Sequence, residues 1–80
     1  MNNKINKQNF LIQFSKQFDD TPIESLSFET IIEDLEEWSS LVGLSVLAMI
    51  QDTYGIRLFH KDIESVKTIG DLYDLVCEKG

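Results

Sequence analysis

Apolar residues near the start of the chain recur at helical intervals. Leu11, Phe14 and Phe18 fall three and four apart, and Phe10 joins Phe14 on the same side. This spacing predicts an amphipathic helix over residues 3–18. The run Asp19-Asp20-Thr21-Pro22 should end it, because Pro22 drives Thr21 away from helical angles. From residue 19 to 38 no clean period holds, although Ile23, Leu26, Phe28, Ile31, Ile32, Leu35 and Trp38 recur. The pattern predicts a long connection pinned by apolar anchors, with a helical turn near residues 28–32.

A second helix is expected from Ser39 or Ser40 to Tyr54. Ser39 suits the N-cap, where its hydroxyl can accept from an orphan amide, and Gly55 supplies the stop. Leu47, Ile50 and Tyr54 form one stripe, led in by Gly43. Leu41, Leu44 and Ala48 form another, and Val46 and Met49 part of a third. A helix apolar on nearly every side needs cover that so small a core cannot supply all round.

Ile63 and Val66, three apart, predict a short third helix. The last helix is marked by Thr68 as cap, by Asp71 completing a capping box, and by Ile69, Leu72, Tyr73 and Val76 as its inner face. No strand pattern competes. Eighty residues make one domain, spanning 1–80. The expected fold is all-α, a four-helix bundle with three longer helices, a short third one, and a long loop between the first two.

Composition narrows the function. A net charge of -7 disfavours non-specific nucleic-acid binding and suits a partner with a basic face. Every charged side chain from Asp19 to Glu37 is acidic. The single cysteine, Cys77, excludes an internal disulfide and reads as a half-buried structural thiol. The opening MNNKINKQNF lacks the apolar centre of a signal peptide, and no apolar run reaches membrane-spanning length. A cytoplasmic protein with no membrane span is expected.

No catalytic constellation or metal site emerges. His60 is the only histidine and reads as a solvated loop residue. The run Glu33-Asp34-Leu35-Glu36-Glu37 lacks the ligand spacing of a calcium loop and reads as a solvated acidic face. Trp38 reads as a core anchor. Ser39 and Ser40 divide the labour: Ser39 caps, leaving the Ser40 hydroxyl outward at the first helical position. An anion carried there meets free amides and the positive end of the helix dipole. Ser40 is well placed to bear a phosphate ester and poorly equipped to act as a nucleophile unaided.

The chain resembles the acyl carrier proteins, the phosphopantetheine-attachment domains of fatty acid, polyketide and peptide synthesis. Their hallmark is Asp-Ser-Leu at the start of the second helix, often preceded by Trp. Here Trp38-Ser39-Ser40-Leu41 occupies that place, and SLVGLSVLAMIQDTYGIRLFHKDIESVKTIGDLYDLV follows the family's last three helices without a gap. Ser39 replaces the motif's Asp. Val42, Ser45 and Gln51 stand where many members carry acids.

The resemblance implies a discrete carrier, not an enzyme. Ser40 would receive 4′-phosphopantetheine from coenzyme A through a separate phosphopantetheinyl transferase. The thiol of that arm would then hold acyl or aminoacyl groups for loading and condensing enzymes. Glu36, Glu37, Trp38, Leu41, Leu44 and Ala48 are the expected partner-facing residues, on a monomer. Reversing Glu36 and Glu37 to Lys is expected to weaken partner encounter more than stability. Leu41, Leu44, Val46, Ala48 and Met49 are candidates to contact a partner, shelter the arm or line an acyl cavity. The alternative is a helical adaptor of the same fold, never modified, that binds a protein partner.

Overall fold

The computed structural model describes residues 5–80. They form a helical domain with α1 at Lys7–Ser15, α2 at Ser40–Tyr54, α3 at His60–Ser65 and α4 at Ile69–Lys79. Single 3-10 turns at Ile23–Ser25 and Ile32–Asp34 punctuate the connection between α1 and α2. Near the turn expected at residues 28–32, a hydrogen-bonded turn falls at Phe28 and Glu29, closed by the Thr30 amide on the Ser27 carbonyl at 3.1 Å, and the second 3-10 turn begins at Ile32.

The first helix is shorter than its apolar spacing predicts. Residues 3 and 4 lie outside the described part. At the other end the Ser15 hydroxyl donates to the Ile12 carbonyl at 2.8 Å, and the Gln17 and Phe18 amides bond only three residues back. The backbone therefore tightens and leaves the α-helix before Phe18. Phe18 still reaches the core, as do Phe10 and Phe14.

Local signals hold elsewhere. The Ser39 hydroxyl caps α2 by accepting from the Val42 amide at 3.3 Å. Gly55 ends that helix at φ 70°, in the left-handed region glycine enters without penalty. Thr68 and Asp71 form the capping box of α4. His60 opens α3 rather than lying in the loop before it, because the Asp62 carboxylate accepts from the Phe59 amide at 2.8 Å.

One continuous core joins Phe10 and Phe14 of α1, Val46, Met49 and Ile50 of α2, Ile63 of α3, and Ile69, Leu72, Tyr73 and Val76 of α4. Leu26 and Ile32 bring the long connection into it. That connection also docks onto α4 through its backbone. The Ile69 amide donates to Thr30, the Gly70 amide to Phe28, and the Ile32 amide to Lys67, all at 2.8–3.0 Å. An antiparallel bridge thus pairs Ile31 with Thr68, and loop carbonyls satisfy the first amides of α4.

Candidate functional site

The long connection delivers the chain to Ser40 with little freedom. Glu37 accepts from the Asp19 and Asp20 amides at 2.9 Å each and from the Thr21 hydroxyl at 2.5 Å. These bonds, the Thr21 hydroxyl first, hold its carboxyl below the usual carboxylate range. Glu37 is therefore a clasp between the two ends of the loop. Reversing Glu37 to Lys would also break this clasp, so that of the two acids only Glu36 has a carboxylate free of such bonds to the loop. Glu36 is exposed.

Trp38 is half-buried against the core, stacked on Phe18 with ring centroids 6.4 Å apart. Its six-membered ring also lies beside the Gly43 backbone, where an added Cβ would touch it at 3.5 Å. The side chain anchors the end of the loop at the start of α2 and, being only half-buried, also lines the pocket beside Ser40. Ser40 follows as the first residue of α2, exposed, with Ser39 already spent on capping. Helix geometry leaves the Ser40 and Leu41 amides without intrahelical acceptors.

A half-open pocket of about 190 Å³ adjoins Ser40. Ile32, Trp38, Ile63 and Val66 supply its apolar lining, and Glu33, His60 and Glu64 its polar groups. His60 Nε2 lies 3.1 Å from the Glu64 carboxylate, and both side chains face water. The spacing of His60 and Glu64, four apart, is a sequence signal for that pair. Nothing local places Glu33 beside them, since its approach depends on the loop docking to α4.

The apolar surface of α2 is sorted by the fold. Leu41 is 74% exposed, Leu44 is 54% exposed, and Ala48 is exposed on the same stripe. Val46 and Met49, at 0% and 6%, belong to the core. They are withdrawn from the candidate partner surface. Phe59, before α3, is 57% exposed and was not singled out by the sequence pattern.

Among the described residues, no three His, Cys, Asp or Glu side chains converge to hold a metal ion. No described helix is long and apolar enough to cross a membrane. Cys77 is half-buried on α4. Comparison with protein-family models, curated proteins and solved structures gives no match to this chain.

Proposed function

We propose that this chain is a discrete acyl carrier protein, its helices arranged as an acyl-carrier-type four-helix bundle, with Ser40 as the attachment point of 4′-phosphopantetheine. The observation that carries this reading is the exposed Ser40 hydroxyl at the first position of a fifteen-residue helix whose cap is supplied by its neighbour. The bundle resemblance, the Trp-Ser-Ser-Leu placement and the exposed stripe of Leu41, Leu44 and Ala48 support it.

The residues present fit the group. When bound, 4′-phosphopantetheine supplies a thiol that holds acyl or aminoacyl groups as thioesters. Ser40 Oγ provides the ester oxygen, and the adjacent amides and the helix dipole favour the phosphate charge. Glu33 and Glu64 in the neighbouring pocket oppose that charge, so the phosphate is favoured over the helix end rather than inside the pocket. Among the described residues no general base is bonded to the Ser40 hydroxyl, and this reading assigns installation of the arm to a separate phosphopantetheinyl transferase. Tethering then raises the local concentration of the cargo at loading and condensing enzymes. Cytoplasmic location and a monomeric state belong to the same proposal.

The test is the intact mass of the folded protein before and after incubation with coenzyme A and a broad-specificity transferase. A gain of one phosphopantetheine unit, absent in Ser40→Ala, supports the carrier. No gain with several transferases refutes it and favours the unmodified adaptor.

A further inference from the structure

The outer side of α4 carries an open groove of about 500 Å³ that the reading of Ser40 leaves unused. Val66, Leu75 and Cys77, all half-buried, form its apolar part, and Asp71, Asp74 and Glu78 supply its acids. Counted from Asp71, the residues Asp74, Leu75 and Glu78 fall at three, four and seven, so they make one stripe along α4, about 10 Å long. Asp71 is committed to the capping box, its carboxylate accepting from the Lys67 and Thr68 amides. Asp74 and Glu78 are exposed, and among the described residues no cation lies within ion-pair distance of either. Lys79 follows Glu78 in sequence but stands about 100° round the helix from it.

This stripe weakens the helix that carries it. Asp74 and Glu78 repel each other across one turn, and Glu78 meets the negative end of the helix dipole in the last turn. Nor do the three acids converge to hold a metal ion. Acids strung along a helix beside apolar side chains match a row of separate cations, which would remove both penalties.

We infer that the α4 groove docks a basic amphipathic helix of a partner protein, with an apolar side chain seated on Val66, Leu75 and Cys77 and lysines or arginines set against Asp74 and Glu78. Charge complementarity selects this occupant. A second copy of the chain is the poorer one, because two copies at -7 each repel. The groove shares only Val66 with the pocket beside Ser40, so a partner held on α4 leaves the serine free. The groove stands whether or not Ser40 is modified, and so goes beyond the carrier reading. On a loaded carrier, such a contact would hold the cargo near one partner while the arm moves.

The probe is a fluorescein-labelled, alanine-rich helical peptide with lysines at positions i, i+3 and i+7 and a leucine at i+4. Anisotropy at low salt reads its binding, amide shifts of the protein locate it, and circular dichroism confirms the fold of each variant. Shifts should centre on Val66 and on Asp74 to Glu78. Asp74→Asn with Glu78→Gln should weaken binding about fivefold. Glu24→Gln with Glu29→Gln, the same charge change on the exposed loop, should weaken it less than about twofold. Ser40→Ala should bind like wild type. No binding by the wild type overturns the groove. Equal losses in the two charge variants also overturn it, by assigning the attraction to net charge, as do shifts centred on α2 and the Ser40 pocket. Failure of the wild type to gain a phosphopantetheine unit instead removes the carrier reading and leaves the groove standing.

Discussion

The Thr21 hydroxyl donates to the Glu37 carboxylate at 2.5 Å, joining residues sixteen apart across the loop that leads to Ser40. With the Asp19 and Asp20 amides on the same carboxylate, this one side chain closes the segment just before Trp38. An acid that composition assigns to solvent is in fact a structural tie.

Glu37→Gln should therefore lower the melting temperature at neutral pH. The Glu37 carboxyl is held below its ordinary value in the folded state, so its stabilisation is complete above the unfolded value of about 4.3. It fades as pH falls through the lower folded value. Thermal unfolding of both proteins across this acid range should show the gap closing. A gap that stays constant would assign the effect to something other than the ionised carboxylate. Glu36→Lys, by contrast, should leave the melting temperature nearly unchanged.

The serine pair should separate by phenotype. Ser39→Ala loses the cap and should cost about 1 kcal/mol of stability while leaving the Ser40 hydroxyl in place. Ser40→Ala should unfold like wild type within about 0.5 kcal/mol, because the residue is exposed and caps nothing. Urea unfolding distinguishes the two, and equal losses would break the division of labour between them.

Two apolar positions on α2, one buried and one exposed, should respond differently to truncation. Met49→Ala empties core volume and should cost about 2–5 kcal/mol, whereas Leu41→Ala should change stability by less than about 0.5 kcal/mol. Chemical denaturation of both variants reads the sorting of the helix directly.

Gly70→Ala should destabilise the domain by about 1–3 kcal/mol. A Cβ there would lie 2.8 Å from the Phe28 carbonyl oxygen, which itself accepts from the Gly70 amide. Since the obstacle is backbone, the loop has to leave α4 to relieve it. Amide exchange should accelerate at Ile69 and Gly70 in the variant, and unchanged protection would show that the loop adapts without undocking.

The tyrosines report on alkaline stability. The Tyr54 hydroxyl accepts from the Asn9 side chain at 2.9 Å, and the Tyr73 hydroxyl donates to the Ile5 carbonyl. Burial pushes both phenols above their ordinary value. A raised folded value favours the neutral form in the native state, so this contribution is intact below about pH 10 and lost as pH climbs through the folded values. Tyrosinate absorbance should titrate later in folded than in unfolded protein. Tyr73→Phe should cost about 1 kcal/mol at neutral pH through the lost hydrogen bond.

The sequence by itself determined what depends on near neighbours. The cap at Ser39, the stop at Gly55, the Thr68–Asp71 box and the inner face of α4 are all set by residues within a turn or two, and each stands as read. Apolar periodicity likewise located four helices. Tertiary structure decided whatever depends on distant partners. It tied Glu37 to Thr21, laid the loop against α4, and set Glu33 and His60 on one pocket beside Ser40. It also divided α2, burying Val46 and Met49 while leaving Leu41 and Leu44 in water. Because α2 is apolar nearly all round, its own pattern could not mark an inner face; that choice fell to the positions of α1, α3, α4 and the docked loop.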